Sequence, residues 1–230
     1  MVLMIWVNDF WTLSSIPKWL KHASAEEDYL GFSDLIFPWF LFAMGLSIPF
    51  AVTNRMKKGE TTDILFKHII FRSVALIIMG LFHMNMEMFN HEHSLIIKPV
   101  FVILCTSAFF MIWNDYSDII KQNKLLYNFL RFSGILILFF MVFLFSGKDY
   151  NGSQIGFKTH WWGILGLIGW VYLMASCAYL FIQNSIIGNM IVFFMCILLN
   201  IVSSSGFAYN IFSWQSDRWI PGNGGLQALT

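Results

Sequence analysis

Between Lys158 and Asp217 the chain carries no Asp, Glu, Lys or Arg. Few folds accommodate such a run. A helix needs roughly 20 apolar residues to cross the hydrocarbon core of a bilayer. The segment therefore holds two crossings, 161–182 and 186–205, joined at Gln183-Asn184-Ser185. Leu35–Thr53 is another charge-free apolar run, and 69–86, 97–113 and 128–147 complete a set of six. Backbone polar groups find no water in hydrocarbon, so only helices and closed barrels span it, and runs of this length are helical. The expected fold class is all-α: a polytopic membrane helix bundle, one domain over 1–230, with six complete spans. Met1–Val7, at about 1.5 Å rise per residue, covers only part of a bilayer and reads as the end of a truncated first helix.

Composition agrees. Hydrophobic residues make up 57% of the chain and charged residues 12%, against about 25% charged in a soluble domain. The net charge of +1 provides neither a basic nucleic-acid footprint nor an acidic tail, so no nucleic-acid partner is expected. Cys105, Cys177 and Cys196 lie inside apolar runs without metal-ligand spacing, which argues for packing rather than a disulfide framework. No basic segment precedes the apolar start, so no cleavable signal peptide is read.

The connections set the orientation. Asn54–Asp63 carries Arg55, Lys57 and Lys58, with Lys67 and Arg72 beyond, and Asp115–Arg131 carries Lys121, Lys124 and Arg131. These clusters lie two spans apart, hence on one side, and the positive-inside rule makes that side cytoplasmic. Loops 8–33, 84–96 and 148–160 then face outward. Trp19, Trp39, Trp113, Trp161, Trp162 and Trp214 fall near the boundaries, as interfacial aromatics do. The expected location is the inner membrane, with the 8–33 loop periplasmic.

Polar residues beside spans are functional candidates. The first outward loop runs from Asn8-Asp9 through Lys21-His22-Ala23-Ser24 to Ser33-Asp34 at the mouth of the second helix. Ser24 and Glu27 fit a capping box, which would set His22 before a helix N-terminus and favour a neutral, basic imidazole. On these residues alone, a solvated interfacial histidine is the better account. Ser33 or Asp34 also reads as the cap of a helix starting at Leu35. Pro38 and Pro49, three turns apart on one face, imply kinks towards a cavity. His83, Asn85, Glu87 and His91-Glu92-His93 could bind a metal, although a solvated loop accounts for them better, and no metal is expected. His160 reads as an interfacial anchor. Arg72 reads as snorkelling to the cytoplasmic surface ahead of facing a ligand phosphate, and the methionines at 79, 84, 86 and 88 read as packing.

Val7-Asn8, Lys21-His22-Ala23-Ser24 and the run Ser33-Asp34-Leu35-Ile36-Phe37-Pro38-Trp39-Phe40-Leu41-Phe42-Ala43-Met44-Gly45 together resemble the heparan-α-glucosaminide N-acetyltransferase family of transmembrane acyltransferases. They look most like that family's Bacteroidetes members, described as a membrane domain of unknown function. The resemblance implies an enzyme that takes acetyl groups from cytosolic acetyl-CoA, its co-substrate, to the amine of an amino sugar or glycan across the membrane. It puts the active histidine at His22, with family roles for Asn8 and Asp34. Chemically, histidine suits acyl transfer as base or nucleophile near pH 7. Asp34 would orient the imidazole, and Asn8 would donate to the developing oxyanion. The family's opening Leu-Asp-x-x-Arg-Gly motif, its full first helix and its last helices are missing, so the chain reads as a fragment. The competing classes are a transporter or lipid-handling protein without covalent chemistry, and an inactive fragment. The bilayer is an expected partner, and a homo-oligomer stays open.

Overall fold

The computed structural model describes residues 2–23, 29–90, 94–116, 122–148, 152–159, 163–182 and 185–204. Its helices are α1 (Val2–Asn8), α2 (Phe32–Lys57), α3 (Thr62–Glu87), α4 (Lys98–Trp113), α5 (Lys124–Leu144), α6 (Ile164–Ile182) and α7 (Ile186–Ser204). The fold class is all-α, as expected. Each of the six anticipated spans corresponds to one of α2 to α7. By length and composition α2, α3, α5 and α6 can cross a membrane, while α4 and the 186–202 stretch of α7 are shorter apolar helices. Phe50, Phe143 and Phe181 are 78%, 71% and 83% exposed. Apolar surface on that scale needs lipid rather than water against it.

Helix starts differ from the apolar boundaries, for local reasons. α2 begins at Phe32, not Leu35, because Gly31 is extended (φ −79°, ψ 161°) and caps it. Asp34 is thus inside the first turn, and neither it nor Ser33 is the cap. α3 begins at Thr62, ahead of the expected 69, with Asp63 in its first turn, where a carboxylate complements the helix dipole. The Asn123 side chain caps α5 by accepting from the Leu126 N–H at 3.3 Å.

The chain divides into two compact units. The first comprises residues up to Ile69 together with Val171–Ser185. Its core is Ile48 and Val52 of α2, Leu65 and Ile69 of α3, and Leu180 of α6. The second comprises Ile70–Trp170 and the chain from Ile186 onward. Phe101 and Cys105 are fully buried there among Phe82, Met86, Phe89, Phe109, Leu138, Met141 and Phe145. Ring centroids lie 5.3 Å apart for Phe89–Phe101 and 5.8 Å for Phe101–Phe145. Met86 belongs to this core and Met79 packs against it, so these two methionines do pack.

Within the second unit the connections after α3 and α5 are stitched together. β1 (Gly147–Lys148) pairs antiparallel with β2 (Gln154–Ile155), a hairpin without a forerunner in the sequence reading. Asn90 N–H donates to Ser146 O at 2.9 Å and Lys148 N–H to Met88 O at 2.9 Å. Asn85 is completely buried. Its amide donates to Leu81 O (2.7 Å) and Lys158 O (2.9 Å) and accepts from Lys158 N–H (3.1 Å). Asn85 is therefore a structural clasp, and its burial no longer calls for a ligand.

Candidate functional site

The site is built where the first loop docks on the first turn of α2. Pro17, with its ring-fixed φ, sets up a 3-10 turn over Lys18–Leu20. Leu20 N–H donates to Pro17 O at 3.0 Å. Trp19 then meets the Phe32 ring at 6.5 Å, and Trp6 of α1 meets the same ring at 6.3 Å. Two tryptophans from different segments thus hold the first residue of α2. Lys18 Nζ lies 5.5 Å from the centre of the Tyr29 ring, a cation–π approach that ties the loop's outgoing and returning strands.

The polar contacts converge on Asp34. Its Oδ1 lies 2.7 Å from His22 Nδ1, and its Oδ2 accepts the Ala23 and Gly31 backbone N–H groups, each at 3.0 Å. The Gly31 contact is the half of a capping box that reaches back from the third helical position, and glycine has no side chain to supply the other half. The carboxylate therefore joins helix start to loop. Ser33, buried one residue earlier, donates its hydroxyl to Leu20 O. Gly31 is a steric requirement, since a Cβ there would overlap the Lys21 carbonyl.

An ionised carboxylate offers only acceptors, so Nδ1 of His22 carries the proton in this contact, and in the neutral form of the ring the lone pair belongs to Nε2. His22 is 39% exposed and Asp34 24%: the imidazole is accessible and its partner is set behind it. A cleft of about 280 Å³ is lined by Phe10, Leu13, Lys21 and His22. Among the described residues its wall combines one cation and one imidazole with two apolar side chains.

The anticipated residues are thus partly united. His22 and Asp34 are in direct contact. Asn8 ends α1, is exposed, and makes no capping hydrogen bond; it is not in the cleft wall. Gly31 and Lys21 are the positions that reading the sequence by residue type passed over, while Ser33, read as a cap, instead bonds to Leu20 O. Arg72 is exposed on α3. Ser24–Glu27, His91-Glu92-His93, Lys121, His160-Trp161-Trp162, Gln183-Asn184 and everything from Ser205 on, Trp214 included, lie outside the described residues.

A family model described as "Domain of unknown function (DUF5009)" matches residues 2–223. Heparan-alpha-glucosaminide N-acetyltransferase of Mus musculus is 35% identical over 89 residues, which is 37% of this chain and 12% of that protein. The Homo sapiens protein of the same name matches with the same figures. The matched stretch is thus a small part of these curated relatives. No solved structure matches. Similarity and apolar helices together make this a membrane protein related in sequence to an acyltransferase.

Proposed function

We propose, from the premise that the chain belongs to the family described as Domain of unknown function (DUF5009), that it is a membrane acyltransferase whose reacting base is His22. In this reading it passes an acetyl group from cytosolic acetyl-CoA to the amine of an extracytoplasmic amino sugar or glycan. The chain lies in the inner membrane with the His22 loop on the periplasmic face. The observation that carries the proposal is the 2.7 Å contact between His22 Nδ1 and an Asp34 carboxylate held by two backbone N–H groups.

Asp34 holds the imidazole in the tautomer with Nε2 unprotonated, the arrangement a general base needs. As the acceptor amine attacks the thioester carbonyl carbon, Nε2 takes the proton that the amine loses. The C–S bond then breaks, and that proton goes to the departing CoA sulfur. Products are the amide and the free thiol. Lys21, in the same cleft wall, supplies a positive charge beside the developing oxyanion. Asn8 retains its oxyanion assignment through the resemblance alone.

The test supplies labelled acetyl-CoA and glucosamine to the full-length protein in membranes. N-acetylated product is expected. In His22→Ala its rate should fall by about 10²–10⁴-fold, the usual weight of a positioned general base. Equal turnover in His22→Ala rejects the assignment. Glucosamine flux in proteoliposomes without any acyl donor would instead favour the transporter reading.

A further inference from the structure

The apolar side of the His22 cleft is exposed. Among the described residues, Phe10 and Leu13 form that side. Leu13 is 57% exposed and extended, directly after the 3-10 turn Asp9–Thr12. The Phe10 ring packs edge-on against Trp6 at 4.9 Å. Trp6 shares one side of α1 with Val2 and Ile5, three and four residues apart in helical register, and Ile5 is 66% exposed. An apolar strip therefore continues from the cleft wall, through Phe10 and Trp6, onto the exposed side of α1.

Both flanks of the strip belong at a membrane boundary. Apolar side chains as exposed as those of α1 need lipid against them. On the loop, Trp19 is 59% exposed, and its neighbour Lys18 lies over the Tyr29 ring. Trp, Tyr and Lys are the residues that settle at headgroup level. Trp19 and Trp6 both meet Phe32, so loop and α1 share this flank. A free amino sugar presents hydroxyls and an amine and gains nothing from such a strip. An amphiphile gains by burying its apolar part against it. With acetyl-CoA on the cytosolic side, a strip on this side falls to the acceptor and not to the donor.

We propose, resting on the assignment of His22 as the reacting base, that the acceptor amine is carried by a membrane amphiphile. The acceptor is an amino sugar on a lipid anchor, entering sideways from the bilayer with its apolar part along Trp6, Phe10 and Leu13. Its amine then stands at His22 Nε2. The transfer itself is unchanged: the N–acetyl bond forms, the thioester C–S bond breaks, and the amine proton passes through Nε2 to the thiol. The anchor positions the sugar and takes no part in the chemistry.

The full-length protein in membranes receives labelled acetyl-CoA with either glucosamine or octyl glucosaminide, and initial rates give kcat/KM for each. The octyl acceptor should be better by about tenfold or more, since each buried methylene is worth roughly a factor of four. Partition into the bilayer would raise that ratio without any contact, so the same pair is run on Leu13→Ser. The exposed Leu13 side chain is not part of a core, and its loss should cut the ratio roughly fivefold through KM for the octyl acceptor. Leu13→Met should keep it. No advantage for the octyl acceptor overturns the proposal, and so does an advantage that Leu13→Ser leaves unchanged. A preference for octanoyl-CoA over acetyl-CoA that Leu13→Ser removes would give the strip to the donor and overturn it as well. In each of these cases, transfer that still depends on His22 leaves the acyltransferase reading standing. Transfer indifferent to His22→Ala, or no transfer to either acceptor, rejects that reading and this proposal with it.

Discussion

Asp34 links two functions that residue type alone would separate. As an acceptor for Gly31 N–H it starts α2, and as the partner of His22 it fixes an imidazole. Asp34→Asn keeps the size but puts an N–H₂ where one acceptor oxygen stood. Acetyl transfer should fall, by less than in His22→Ala, while the helical circular dichroism is retained; undiminished transfer would remove Asp34 from the mechanism. Gly31→Ala tests the same site without substituting either dyad residue. The new Cβ collides with the Lys21 carbonyl, so the loop must lift off α2 and the 2.7 Å contact must open. Overpacking of this kind costs about 1–3 kcal/mol. A lowered unfolding midpoint in detergent together with lost transfer is expected, and wild-type values for both would show that the loop tolerates a side chain there. His22 and Asp34 were legible as candidates from their place at a helix mouth and from the resemblance. Gly31 was not, because its role depends on which carbonyl sits opposite it.

Between elements, small residues decide how near helices come. Gly166 and Gly169 of α6, with Gly163 just before it, recur every three residues. A Cβ on Gly169 would meet Ser73 O at 3.0 Å, a Cβ on Gly80 the Gly166 backbone, and one on Gly163 the Met84 side chain. Helices in lipid gain little from hydrophobicity against each other, so close backbone approach through small residues is a main source of packing energy. Gly166→Val should therefore lower the detergent unfolding midpoint. Gly45→Ala, where nothing lies within 4 Å of the added Cβ, should leave it unchanged or raise it, as replacing a helical glycine gains about 0.5–1 kcal/mol. Equal effects of both substitutions would argue against the close contact. The glycine spacing is visible in the chain, but its partner helix is not, since any apolar helix can receive such a stripe.

For the whole molecule the quantity to test is orientation. Loops after α3 and α5 are hydrogen-bonded to one another, so they share a side, as the alternation of spans requires. The basic residues at 55–58 and 124–131 are the basis for assigning the other side to the cytoplasm. With the three native cysteines replaced, Leu13→Cys should react with an impermeant maleimide in intact cells. Lys58→Cys should react only after permeabilisation. The reverse pattern would invert the topology and move the His22 cleft to the cytosol.

The His22 loop, then, owes its two halves to different sources. Charge-free apolar runs by themselves determined that the chain is helical and that it enters a membrane, because hydrocarbon penalises any unpaired backbone group regardless of which helices are neighbours. Helix starts were displaced from the apolar boundaries by capping, a local effect that hydropathy does not weigh. Which side chains meet was decided only by tertiary structure. Asp34 reaches His22 and Ala23 from across a loop, Asn85 of α3 clasps the backbone of Lys158 in the connection after β2, and Asn8 is absent from the cleft wall. Such contacts depend on directions of approach between segments distant in sequence, which periodicity and composition do not encode.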